Sequence, residues 1–173
     1  MRSLPQTIPT LDDVRQVGSA GPWSTKAGGL LSVPLALPLP KAMAFLDCDP
    51  TELARIPVDI RGLRVFVVND VPAGGVGGKE FHRIRKELII LTRGRVSVEC
   101  EDLVGARKEF ELSRDHVLCV PPFVLHTTRS HESGSAFTVV ANTLYISENP
   151  RTHDSYSIDV FREMQRQYAK ANP

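Results

Sequence analysis

From Arg61 onward, short runs of β-branched and aromatic residues alternate with turn residues at a spacing of about ten. "LRVFVVNDV" reads as a strand, and "PAGGVGG" as a flexible hairpin turn after it. "EFHRIRKELIILTRG" reads as a strand pair or one long bent strand ending at Gly94. "RVSVECED" and "RKEFELS" alternate apolar with polar positions, the period of half-buried strands. "HVLCVPP" is a buried strand stopped by Pro121 and Pro122, and "SAFTVVANTLYIS" is the last long strand. Strands in this rhythm predict an all-β sandwich or barrel. The period then changes. Ile158, Phe161, Met164 and Tyr168 fall at helical spacing, which predicts a C-terminal amphipathic helix over 157–170.

Upstream the pattern is weaker. Residues 1–28, rich in Pro, Gly and Ser, read as an irregular N-terminal arm lying on a neighbouring subunit; residues 29–173 read as a single domain. "GGLLSVPL" suits a short strand. "CDPTELARI" starts a short helix, with Asp49 ahead of Pro50 and with Thr51 and Glu52 in the first turn. "LLSVPLALPLPKAMAFL" is apolar, but Pro34, Pro38 and Pro40 break it, so no membrane helix is expected there.

Composition narrows the partners. A chain of 173 residues suits one domain with a sizeable core. Its 21 basic and 20 acidic residues leave a net charge of +1, which gives no footprint for nucleic acid or an anionic membrane. A small molecule or a second copy of the chain remains. The proline-rich arm and the apolar "LLSVPLALPL" are hard to bury on one small barrel, which predicts a homodimer. Cys48, Cys100 and Cys119 are odd in number with no CxxC spacing, so they read as reduced thiols. The N-terminal "MRSLPQTIPTLDDVR" lacks the apolar core of a signal peptide, and both features predict a cytoplasmic protein.

Candidate chemistry gathers in two stretches. In a strand, residues two apart face the same way, so Glu80 and His82 of "KEFHR" share a face. His126 follows a strand end and two prolines in "VPPFVLHTT". Polar groups from two short strands converging near a rim are how β-barrels build small-molecule sites. Two readings are open for Glu80, His82 and His126, a proton-transfer set or a two-histidine, one-carboxylate metal site with Glu87 as an extra ligand; a third makes Glu80 and His82 a hydrogen-bonded pair at an exposed strand start. "GGVGG" lacks the lysine and Ser/Thr of a phosphate loop. His116 reads as structural, and His131 and His153 as loop residues.

The spacing of Glu80, Phe81, His82, Glu87 and Gly94, followed by Pro121 and His126, resembles the two short motifs of the cupin superfamily. A wider pattern, "RVFVVND…GGKEFH…LIILTRGRVSVECED…FELSRDHVLCVPPFVLHTT…VVANTLYISENPRTHDSYSIDVF", resembles the WxcM-like cupins, the dTDP-sugar 3,4-ketoisomerases, over roughly residues 28–165. The resemblance implies an all-β cupin jelly-roll and a homodimer. It also implies transfer of a keto group between C4 and C3 of a dTDP-linked 4-keto-6-deoxy sugar through an enediol, without a cofactor or metal. It makes His82, His126 and, in place of the family's first histidine, Glu80 the catalytic candidates. Arg64, Tyr145 and Lys86 become substrate-binding candidates, Lys86 because it holds the carboxylate position on an ungapped register. The departures fall on site positions: Phe66 and Val67 stand where the family has tyrosine, Gly77 where arginine is common, Phe123 where glycine is usual, and Leu125 where an aromatic precedes the histidine. Alongside an isomerase, a metal-dependent cupin enzyme holding a divalent transition metal and a non-catalytic sugar-binding cupin remain as alternatives.

Overall fold

The computed structural model describes residues 8–17, 64–143 and 153–172, together with the strand assignments of 23–24, 31–33 and 42–44. The elements run β1 (Arg15–Val17), β2 (Trp23–Ser24), β3 (Leu31–Val33), β4 (Ala42–Ala44), β5 (Arg64–Val71), β6 (Val76–Phe81), β7 (Glu87–Arg93), β8 (Val96–Glu101), β9 (Arg107–Glu111), β10 (Val117–Val120), β11 (Leu125–Ser130), β12 (Ser135–Ala141), β13 (Tyr156–Ser157) and α1 (Ile158–Ala171). A five-stranded sheet has the order β1-β10-β7-β12-β5, and a second has the order β13-β6-β11-β8-β9. A three-stranded sheet has the order β2-β3-β4.

From β5 to β12 the chain passes between the two large sheets at nearly every turn, and only β8 pairs with its immediate successor in sequence, β9. This is the double-sheet jelly-roll. The glycine-rich stretch after β5 is therefore a corner between sheets, not the hairpin turn its composition suggests, and β6 and β7 lie in different sheets. The inward faces close a core of Ile89, Leu91, Leu118, Phe137 and Val139 from one sheet on Val96, Val98 and Phe110 from the other. β8 departs from the expected half-buried period: Ser97 and Glu101 are buried along with its apolar residues. Ser97 is covered by His131, whose Nε2 lies 2.8 Å from its hydroxyl. Glu101 is held under α1, receiving a 2.8 Å bond from Arg162 Nη2 and a 3.0 Å bond from Gln165.

α1 covers the outer face of the second sheet. Phe161 and Met164 pack on Phe81, Leu103 and Leu125, with the Phe81 and Phe161 rings edge-on at 5.2 Å. The expected stripe is narrower than its spacing suggests, since Ile158 is exposed and Tyr168 half-buried. The arm is also more regular than its composition implies. Leu11–Asp13 form a 3-10 turn capped by Thr10, and β1 then pairs antiparallel with β10, Arg15 opposite Cys119. Cys100 and Cys119 are buried free thiols. The expected helix at "CDPTELARI", Cys48 and Tyr145 lie outside the described residues. Among the described residues no helix is long and apolar enough to cross a membrane.

Candidate active site

Strand parity builds the site. On β11 Leu125 faces α1, so its neighbour His126 faces the space between the sheets; on β6 Phe81 faces α1, so Glu80 faces inward beside its strand partner His126. That pairing depends on a bulge. The β6–β11 register shifts between His126 and Thr127, where Gly78 and Lys79 both take positive φ (+75° and +61°). A Cβ at Gly78 would lie 3.0 Å from the His126 carbonyl oxygen, so a glycine is required there by contact as well as by conformation. On β7 the inward parity of Ile89 and Leu91 brings Glu87 to the same place.

His82 sits just past the end of β6, on a turn held by Asp154. The Asp154 carboxylate accepts backbone N–H bonds from Arg83 (3.1 Å), Ile84 (2.7 Å) and Arg85 (2.7 Å). Its main-chain carbonyl accepts a bond from His82 Nδ1. The sheet explains why Asp154 is there: β13 pairs with β6, Tyr156 opposite Phe81, which carries the preceding residues past His82. Phe123 completes the turn, its N–H donating 2.7 Å to the His82 carbonyl. Phe123 has φ +62°, a value glycine adopts without strain, and its side chain packs against the core under α1.

Glu87 is the hub. One oxygen lies 3.3 Å from His82 Nε2 and the other 3.4 Å from His126 Nε2, with all three side chains almost fully buried. The imidazoles stand 5.3 Å apart. Both present Nδ1 to main-chain carbonyls, His126 to Val124 at 3.2 Å, and a carbonyl can only accept. Each Nδ1 therefore carries a proton, and each Nε2 is turned to Glu87. Burial alone would raise the Glu87 pKa, but bonds from His126 and His82 outweigh it and hold the carboxyl well below its ordinary range. Burial likewise opposes charge on His126, yet the Glu87 bond and charge, with the Val124 carbonyl and Glu80, raise it above its ordinary value. Glu80, His82 and His126 offer ligand atoms within 4.8 Å of one another, a spacing that fits a divalent transition metal. The Nδ1 anchors would orient both Nε2 atoms as ligands, though the metal would have to displace the proton that Glu87 favours on His126.

Two spaces meet at Glu80. One is a cavity of about 240 Å³ between the sheets, apolar along Phe66, Val68, Ile89, Phe137 and Val139 and polar where Glu80, Glu87 and His126 line it. The other is a polar cleft lined by Arg64, Glu80, Arg85, His153 and Ser155. His82 lies behind Glu87, its buried Nε2 facing that carboxylate.

The structure thus brings together Glu80, His82, His126 and Glu87. Arg64 joins the polar cleft, its guanidinium 4.5 Å above the Phe66 ring. Lys86 stands one position out of phase with Glu87, on the face of Leu88, and its charge acts on Cys119. The ungapped register that gave Lys86 the carboxylate position therefore misplaces it. Phe66, not Val67, holds the inward position where the family has tyrosine, so a phenyl faces the cavity while Val67 is exposed. Gly77 also lines the cavity. His153, expected as a loop residue, borders the cleft, and His116 is exposed. Sequence reasoning missed Asp154 and Arg85; a lone aspartate in "PRTHDS" and an arginine in a basic run carry no local sign of their places.

A double-sheet barrel with two histidines gathered on a buried carboxylate at the polar end of its cavity defines the cupin class. The family model described as WxcM-like, C-terminal (FdtA) matches residues 50–160, and the chain belongs to that family. The fold is shared with QdtA, a sugar 3,4-ketoisomerase from Thermoanaerobacterium thermosaccharolyticum in complex with TDP (18% identity, 92% of this chain and 98% of that chain, TM-score 0.61). A 3,4-ketoisomerase from Helicobacter canadensis is similar too (15% identity, 89% and 98%, TM-score 0.60). So is the WlaRB TDP-quinovose 3,4-ketoisomerase from Campylobacter jejuni (15% identity, 70% and 85%, TM-score 0.55). No curated protein matches the chain in sequence.

Proposed function

We propose that this protein is a sugar-nucleotide isomerase that moves the keto group of a TDP-linked 4-keto-6-deoxy sugar between C4 and C3, as a homodimer and without a metal. The observation that carries this reading is the convergence of His82 and His126 on the buried Glu87 carboxylate, each imidazole anchored through Nδ1, with Glu80 beside His126 on the cavity. Family membership supports it. So does the kinship of fold with a QdtA variant in complex with TDP-4-keto-6-deoxyglucose.

The chemistry asks for proton carriers and little else. A base takes the proton on C3, and the C4 oxygen gains one as the enediol forms. The C3 hydroxyl then gives up its proton as that carbon becomes the carbonyl, and C4 receives a proton on carbon. No electrons enter or leave. Glu80 takes the role of the missing histidine beside the cavity, His126 moves protons there, and His82 acts through Glu87, which stands between it and the cavity.

Incubation with TDP-4-keto-6-deoxyglucose in deuterium oxide, followed by NMR, is expected to show a 3-keto product with deuterium on the ring. Glu80→Gln and His82→Gln should each lose turnover by about 10²–10⁴-fold with nucleotide affinity unchanged. Variants that keep wild-type turnover would place the chemistry elsewhere. The same three side chains favour one other reading, a metal-dependent cupin enzyme. Stoichiometric transition metal in purified protein, lost in His82→Ala, would establish it.

A further inference from the structure

Arg85 is buried to 3% exposure, and its guanidinium is only partly matched. Nε donates 3.0 Å to the Thr143 hydroxyl, and Nη1 lies 3.6 Å from Glu87 Oε1. Nη2 is buried and has no hydrogen-bond partner. A buried N–H of a permanent cation left unmatched is costly, and native proteins keep such groups where something arrives to meet them. Arg85 borders the polar cleft with Arg64, His153 and Ser155, and that cleft shares Glu80 with the main cavity. The backbone N–H of Arg85 is fixed by Asp154, so the side chain springs from an ordered turn.

We infer that Arg85 Nη2 is the donor that receives an anionic oxygen of the ligand, making the Arg85 cleft an oxyanion subsite next to the Glu80–His82–His126 set. Thr143 and Glu87 hold two corners of the planar fork, the third is left unmatched, and Arg85 lines the polar cleft beside Glu80. The anionic oxygen has two sources. It is a group already charged in the bound ligand, a phosphate or carboxylate, or it is the oxygen that gains charge as the enediol forms. The second source rests on the isomerase reading above; the first does not.

The experiment has two arms and uses Arg85→Lys, which keeps the charge toward Glu87 and removes the fork, with Arg85→Gln beside it. Circular dichroism and thermal melting establish that each variant is folded. In the first arm, inorganic phosphate or formate is titrated against sodium chloride at equal ionic strength. Wild type should gain thermal stability from the oxyanions, and folded Arg85→Lys should not. In the second arm, turnover of TDP-4-keto-6-deoxyglucose separates the sources. A loss of about 10²–10³-fold in kcat at constant KM assigns the enediolate oxygen, and a raised KM at constant kcat assigns a group charged in the ground state. If wild type turns over no TDP-linked keto sugar, the isomerase reading fails and the first arm alone decides the subsite. The proposal stands if either arm separates wild type from the folded variant, and it is overturned if neither does.

Discussion

Glu87 sets the charge of the site, and Glu87 and His126 make the site sensitive to pH in opposite directions. Its carboxyl is held below the ordinary 4.5, so the stability it contributes is present above that value and lost as the pH falls beneath it. His126 is raised above the ordinary 6.5, so its contribution is complete below 6.5 and lost as the pH climbs through the raised value. Between 4.5 and 6.5 both are in place. The gap in unfolding free energy between wild type and Glu87→Gln, measured in urea, should therefore peak in that window and shrink on both sides. Replacing the carboxylate is expected to cost about 3–5 kcal/mol at the peak, because it strands a buried charge. A gap that stays flat from about pH 4 to about pH 8 would show that Glu87 and His126 are not coupled. This residue was within reach of the sequence through the alternation Glu87, Ile89, Leu91 on β7. Counting from a family motif without gaps chose Lys86 instead, because counting ignores the bend after His82 that resets parity.

Among the elements, most strands and α1 are legible from the local period. Which sheet a strand joins is not, because alternation records that one face is buried and not what buries it. β8 shows the limit: Ser97 and Glu101 look like outward positions until His131 and α1 are seen to cover them. The bulge on β6 was hidden for a related reason, since "GGVGG" reads as loose turn while Gly77 and Gly78 are strand residues paired with Thr128 and Thr127. The bulge yields a paired comparison. Gly74 and Gly78 have nearly the same φ, +78° and +75°, but a Cβ at Gly74 meets nothing within 4 Å and one at Gly78 meets the His126 carbonyl at 3.0 Å. Gly74→Ala should cost only the left-handed conformation, about 1–2 kcal/mol. Gly78→Ala should cost more, and should also reduce turnover by moving Glu80 off its partner. Equal losses of stability with activity retained would mean that the bulge does not aim Glu80.

At the scale of the whole molecule, β5 is an edge strand of its sheet, and it exposes Val65 (56%) and Val67 (53%) on its outer face. A dimer in solution is expected, with light scattering at micromolar concentration giving about twice the chain mass of 19.1 kDa and Val67→Glu lowering it. A wild-type monomer would remove the claim, which from sequence rested on the proline-rich arm and "LLSVPLALPL", a segment of which only the strand β3 (Leu31–Val33) is described. The way the fold aims its histidines reaches further. Both rings are fixed by main-chain oxygens, of Asp154 and Val124, and those oxygens are present whatever residue stands at 154 or 124. A lineage can therefore rewrite the side chains around the rings, as Glu80, Phe66 and Gly77 show against the family pattern, without turning the imidazoles. In such a barrel the aim of the imidazoles is inherited with the backbone, and the side chains that line the cavity around them are free to change.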